Sequence, residues 1–330
     1  MRLVHLLLSA ALVAAPAGAS ARNIVLSNDD GLSSNLIALY HALKAAEHDV
    51  VVSVPCTGQS GQGAALAIGQ PLVPLTAPCI NDAAQPGDPG AGPMTREDLP
   101  QGDFYYVNGT PIMALLQGIE LVGMERWGAE PDLVLSGPNE GQNVGAIVLS
   151  SGTVSNVQYA ALRGLPAIAL SAGANTEGED LANPLSVEVA RLSLDLIAVL
   201  EKKAGAGPLL PRGVSLNVNF PDKLEGAQWR LSRIGTFNAY SVGFTGNMAE
   251  SASPTIRAMA AARGMEIPQL PGINFDFNTG PPAAGQENDE SILSRQHITV
   301  SPMQAGYDLH PAAADLIGWN LADLFLPAGE

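Results

Sequence analysis

The sequence predicts an α/β fold with a mostly parallel sheet covered on both faces. Three observations predict it. Short apolar runs such as Asn23–Ser27 and the segments 49–54 and 167–170 show no polar alternation, the mark of strands buried on both sides. Segments with helical spacing lie between them. The order strand, helix, strand repeats from residue 23 onward, which reads as right-handed βαβ units.

The elements follow in order. Asn23–Ser27 is the first strand and ends at Asn28-Asp29-Asp30-Gly31. Leu36, Leu39, Leu43 and Ala46 recur at three- and four-residue steps and predict a helix. The β-branched run 49–54 is closed by Pro55. A strand is expected over Phe104–Val107, then a helix opening at Pro111 with Met113, Leu115, Leu116 and Ile119 on it. Segment 132–135 is a strand, 153–162 a helix and 167–170 a strand. Segment 185–202 is a long amphipathic helix ended by Lys202, Lys203 and Gly205. After it, 214–220 alternates like a half-exposed strand, and 229–234 and 297–300 are further strands. Segment 311–324 is a closing helix. Two stretches rich in Gly and Pro, 80–102 and 235–288, lack periodicity. The second is long for an inert loop and is read as an arm, a lid or an oligomerisation element.

Of 330 residues, 32 are acidic and 16 are Lys or Arg, so the formal net charge is −16. That balance argues against gripping a nucleic-acid polymer or docking on an anionic membrane. Arg2, the apolar run 3–15 and the small residues at 17–21 read as a secretory signal peptide over 1–21, which implies an exported, periplasmic protein. The remainder, 22–330, is read as one domain, with an extended arm or insertion within 206–290. In an oxidising compartment Cys56 and Cys79, the only cysteines, are expected to form a disulfide. The alternative is two small buried side chains that never meet.

Several segments could carry chemistry. Asp29 and Asp30 follow the first strand, and ligands bind at the carboxyl ends of strands in open α/β sheets. Adjacent carboxylates suit a hard divalent cation; a helix cap and a turn would use the same residues. Gly58-Gln59-Ser60-Gly61 offers a small-residue loop with one hydroxyl. Segment 136–145 offers Asn139 as a neutral oxygen ligand and Asn143 as an amide donor, or merely turn residues. Ser151-Gly152-Thr153 opens a helix, where hydroxyls and free N–H groups bind phosphate or simply cap. The histidines show no metal-ligand spacing, and a nucleophile elbow of the form G-x-S-x-G does not occur.

In order, these segments resemble the SurE family of survival-protein nucleotidases. The resemblance rests on S-N-D-D-G at 27–31, the Gln59-Ser60-Gly61 loop and G-T-P at 109–111. It continues with P-D-x-V-x-S-G-x-N-x-G-x-N-x-G at 131–145, S-G-T-V at 151–154, L-N-V-N-x-P at 216–221 and Ser301-Pro302. It implies a Rossmann-like three-layer α/β/α sandwich with a protruding C-terminal hairpin arm that joins subunits into a dimer or tetramer. It also implies a phosphatase acting on nucleoside 5′- or 3′-monophosphates with one divalent cation, Mg²⁺ or Mn²⁺. The metal ligands fall on Asp29, Asp30, Ser60 and Asn139, with Asp29 or Asp30 also activating water. The phosphate positions fall on Asn143, Ser151, Gly152 and Thr153.

The chain departs from the family pattern at the rim. Cys56-Thr57-Gly58-Gln59 stands where the family has a charged D-R-N-R stretch. Ala146-Ile147 replaces an acidic pair, Ser150 a tyrosine, and Ser34-Asn35-Leu36 an A-P-G. The missing arginines favour a small phosphomonoester over a long polyanion. Two rival functions share these features: a non-catalytic periplasmic binding protein for a phosphorylated ligand, and an interaction protein working through 235–288.

Overall fold

The computed structural model describes residues 21–262, 264–308 and 311–321. The expected signal segment, apart from residue 21, and the end of the closing helix lie outside them.

β1 (Asn23–Ser27) leads into α1 (Ser34–Ala45), β2 (Asp49–Pro55), β3 (Ala91–Pro93) and β4 (Phe104–Val107). α2 (Pro111–Leu116) runs through a π-helical stretch, Gln117–Gly123, into α3 (Met124–Trp127). Then come β5 (Leu133–Glu140), α4 (Gly152–Leu162), β6 (Ala167–Ala172), α5 (Pro184–Ala204), β7 (Val214–Asn219) and β8 (Trp229–Leu231). The chain finishes with β9 (Tyr240–Thr245), α6 (Met248–Ser251), α7 (Pro254–Ala262), β10 (Gly272–Phe277), α8 (Glu290–Leu293), β11 (Ile298–Gln304) and α9 (Pro311–Asn320).

Nine strands form one sheet in the order β3-β4-β2-β1-β5-β6-β7-β11-β8. The pairs from β4 to β7 are all parallel, and β3 and β11 join antiparallel at the two ends of that block. Side chains alternate across β1. Ile24 and Leu26 pack with α1 and α5 on one face, while Val25 packs with α2 and α4 on the other. Both faces are therefore covered, and the three-layer architecture expected from the sequence is present. β9 and β10 form a separate antiparallel hairpin, with α6 and α7 between its strands.

Local chemistry sets the helix starts. Ser33 caps α1 by accepting from the Leu36 N–H at 3.4 Å, and Ser151 caps α4 by accepting from Val154 at 3.1 Å. Thr110 and Pro111 open α2 in the same way. Cys56 and Cys79 are joined by a disulfide, with Cα atoms 4.7 Å apart.

The structure corrects three local expectations. β7 is buried on both faces, so its alternation records a row of buried asparagines rather than a wet face. The 80–102 stretch contains a strand, β3, and 235–288 contains the hairpin and two helices. The helix expected through Ile119 changes to π-helical winding after Leu116.

Candidate functional site

The chain builds outward from β1 to β2 and β4, then returns across β1 to β5, β6 and β7. The strand order therefore reverses between β1 and β5, where open α/β sheets bind ligands. Asp29 and Asp30 lie just past the end of β1, and Asn139 lies near the end of β5.

The turn after β1 is closed by Asn28. Its Nδ2 donates to the Gly31 carbonyl at 2.7 Å, and its Oδ1 accepts from the Gly31 N–H at 3.0 Å. Gly31 has φ +86°, and a Cβ there would lie 2.6 Å from Ile80 Cγ2 and 3.0 Å from the Pro55 carbonyl. No other residue fits this turn without displacing its neighbours. The Asp29 side chain is thereby buried, while Asp30 is partly exposed.

β5 forms the second wall. Its register with β6 shifts between Ser136 and Asn139, so Asn139 pairs with Ser171. The Asn139 amide donates to the Gly141 carbonyl at 2.7 Å, and the Glu140 N–H donates to Asp30 Oδ2 at 3.4 Å. The loop after β2 forms the third wall. Gln59 donates its N–H to the Asp29 carbonyl at 2.7 Å, and Gly63 donates to the Ser150 carbonyl at 3.0 Å. Ser60 sits exposed between these two anchors.

The start of α4 closes the back. A Cβ on Gly152 would lie 2.6 Å from Asp29 Cβ, so glycine is required for this approach. The Thr153 hydroxyl donates to Asp29 Oδ1. Asn143 donates through Nδ2 to Ser171 Oγ at 3.0 Å and Thr153 Oγ1 at 3.4 Å. The structure thus places Asp29 against Gly152 and Thr153, with Asn143 reached through Thr153; Asp30 accepts from the Glu140 N–H next to Asn139, and Ser60 lies on a loop anchored by its neighbours Gln59 and Gly63. Thr153 and Asn143 are spent largely on holding Asp29 and each other. Ser151 accepts from Val154, which leaves its own hydroxyl proton to donate.

Several supporting residues were not singled out from the sequence. Asn217 and Asn219, on one face of β7, donate to the Asn143 carbonyl at 2.8 and 3.1 Å. Asn219 also accepts the Asn143 N–H at 2.9 Å. Asn156 of α4 reaches Ser136 Oγ at 3.2 Å and the Asn28 carbonyl at 3.4 Å. Buried Glu290 accepts from the Gly145 N–H at 3.3 Å and from Asn217 at 3.0 Å. The period-two asparagines of 216–221 were the available signal.

Electrostatically, the charged side chains that act on Asp30 are carboxylates. Burial pushes the Asp29 carboxyl up, and the Thr153 hydroxyl and the Gly152 and Thr153 amides oppose that rise. Asp30 is pushed well above the usual carboxylate range by burial, then by the charges of Asp29, Glu140 and Glu177. Among the described residues no group of three or more His, Cys, Asp or Glu side chains is placed to hold a metal. The donor set here is two carboxylates with an amide and a hydroxyl nearby. All are oxygen ligands, and crowded carboxylates suit a hard divalent cation.

Residues 24–240 match the family model described as Survival protein SurE. The chain is 32% identical over 301 residues to a 5′-nucleotidase SurE of Caldanaerobacter subterraneus subsp. tengcongensis, covering 91% of this chain and 98% of that one. It is 30% identical over 293 residues to the 5′-nucleotidase SurE of Solidesulfovibrio magneticus, covering 88% and 94%. Among solved structures, the SurE protein of Aquifex aeolicus superposes with a TM-score of 0.61 at 25% identity, covering 90% of this chain and 99% of that one. A sequence match over most of the chain and a matching fold, together with the S-N-D-D-G turn at the strand-order reversal, lead to one conclusion: this chain belongs to the SurE family.

Proposed function

We propose that the chain is an exported, periplasmic, metal-dependent phosphomonoesterase that hydrolyses nucleoside 5′- or 3′-monophosphates. The observation that carries this reading is the meeting of Asp29 and Asp30 with the β5 edge and the start of α4 at the strand-order reversal. Asp29, Asp30, Ser60 and Asn139 would hold one Mg²⁺ or Mn²⁺. Bound there, such an ion supplies Lewis-acid polarisation of the phosphoryl group and a lowered pKa for water.

The chain's own groups do the rest. Thr153 fixes Asp29 in one orientation, and Asn217 and Asn219 fix the Asn143 backbone. Asp29 or Asp30 is proposed to orient or deprotonate the attacking water. Water supplies the oxygen that joins phosphorus, the bond from phosphorus to the nucleoside oxygen breaks, and that oxygen takes a proton. The Ser151 hydroxyl at the start of α4 is proposed to donate to the phosphoryl oxygens and stabilise charge on them. The arm is proposed to join copies of the chain into a dimer or tetramer.

Phosphate release from nucleoside monophosphates and p-nitrophenyl phosphate with Mn²⁺ or Mg²⁺ tests this. Turnover is expected to stop with EDTA and with Asp29→Asn or Asn139→Ala. Turnover that survives these changes overturns the metal site. Metal binding without turnover of any substrate would favour a binding protein instead.

A further inference from the structure

Two cavities of about 360 and 340 Å³ lie between the start of α4 and the root of the arm. Val144 and Tyr240 line both, so the two cavities adjoin at these residues. One begins at Ser150, directly before the Ser151 cap, and is walled by Ala146, Ile147, Leu149 and Val242. The other presents Gln142, Asp222, Asn278 and Arg295 beside Phe277. Apolar walls with a few convergent polar groups are the usual make-up of a small-molecule site, and the volumes are of the usual size.

The polar end is a built feature. The Tyr240 hydroxyl donates to the Gln142 carbonyl at 3.0 Å, which holds the ring against the loop that carries Asn143. The Tyr240 and Phe277 ring centroids are 5.7 Å apart. Arg295 lies 5.2 Å over the Phe237 ring and donates to the Asn278 carbonyl at 3.0 Å. Among the described residues no carboxylate forms an ion pair with it. The Ser291 hydroxyl, 1% exposed on the same wall, has no hydrogen-bond partner among the described residues. Aromatic faces, a cation with spare donors, a carboxylate and an unpaired hydroxyl suit a planar heterocycle carrying both donors and acceptors. Asp222 at this end disfavours a second phosphate.

We infer that the adjoining cavities take the nucleoside of the substrate, with the base along Tyr240 and Phe277 and its polar edge toward Arg295, while the phosphate stays by Ser151. This rests on the phosphomonoesterase reading above and adds what selects the leaving group. p-Nitrophenyl phosphate carries no nucleoside, so it reports the phosphate end alone.

The test compares kcat/KM for AMP and GMP with that for p-nitrophenyl phosphate in wild type, Tyr240→Ala, Tyr240→Phe and Arg295→Gln. The nucleotide-to-nitrophenyl ratio is expected to fall about tenfold in Tyr240→Ala and Arg295→Gln, the scale of one lost base-stacking contact. It is expected to be largely kept in Tyr240→Phe, which retains the ring. An unchanged ratio in both Tyr240→Ala and Arg295→Gln overturns the inference while leaving the hydrolase reading intact. If the wild type hydrolyses neither substrate class, the hydrolase reading fails, and calorimetric binding of AMP and GMP decides the inference. Binding weakened about tenfold in Tyr240→Ala and Arg295→Gln supports it; equal or absent binding overturns it. Phe277→Ala replaces any variant that does not fold, as judged by circular dichroism.

Discussion

The carboxyl edge of the sheet and the arm invert the ordinary rule of burial in opposite directions. At the edge, polar groups are buried: Asn28, Asp29, Asn143, Thr153, Asn156, Asn217 and Asn219 all lie inside. They bond mainly to one another and to backbone, which makes burial tolerable and fixes each in one orientation. On the arm, apolar groups are exposed: Val242, Phe244, Ile273 and Phe275 stand on a two-stranded hairpin, with Phe244 78% exposed. An isolated hairpin is marginal in water, and an exposed apolar patch of this kind marks an interaction surface. The edge spends stability on chemistry, whereas the arm withholds apolar surface from the core.

The largest expected effect tests the edge. Asp30→Asn should lower kcat/KM by about 10³-fold, the scale of removing one directly acting polar group. Without metal the same variant should melt higher than wild type, because it removes a carboxyl that burial and neighbouring acids disfavour. A lower melting temperature would show that Asp30 is structural.

Next in size is the disulfide. Cys56→Ser closes no loop between positions 23 residues apart and should cost about 3 kcal/mol, read from urea unfolding. It should also weaken metal binding, because Ile80 donates to the Cys56 carbonyl and packs against the Gly31 turn. Stability unchanged in this variant would separate the insertion from the edge.

A third effect is linked to pH. Burial raises the Glu290 carboxyl from 4.5 to about 7. Glu290 therefore adds stability below its unfolded value, and that contribution is lost as pH rises through about 7. Glu290→Gln should be insensitive in this window, so the gap between variant and wild-type melting temperatures should shift in the variant's favour between pH 4.5 and 8. Parallel melting curves across that range would remove Glu290 from the account.

The smallest effect on stability should come from the arm. Phe244→Ser should change the melting temperature of the sheet domain little, as exposed substitutions generally do. Its readout is assembly: sedimentation should show smaller particles than wild type. An unchanged particle size would remove the arm from subunit contact.

Strands and helices with strong local periodicity were legible in the sequence. β1, β2, β4, β6 and α4 fall where their apolar runs place them, and α5 begins one residue earlier, at Pro184. β3 was not legible, because Ala91-Gly92-Pro93 pairs with β4 through backbone alone and carries no pattern. β5 runs on to Glu140 through Gly137 and Pro138, residues that ordinarily end a strand, because its register with β6 shifts there. The Asp29-Asp30 pair was legible from its place after a strand. Glu290 was not, since it lies 145 residues from the Gly145 amide it accepts from and belongs to no local motif. The hairpin in 235–288 was expected through the family resemblance alone; its strands Tyr240–Thr245 and Gly272–Phe277 are short alternating runs separated by two helices, so their pairing carries no local signal.

Cys56 and Cys79 are also the whole thiol inventory of the chain. With two cysteines there is a single intramolecular pairing, so oxidation cannot go wrong within one molecule. Both lie in the first quarter of the sequence, ahead of β5, β6 and β7. A chain emerging N-terminus first into an oxidising compartment has both thiols in hand before the far half of the sheet exists. For the exported protein proposed above, maturation then requires an oxidant acting once, and no isomerase to reshuffle the product.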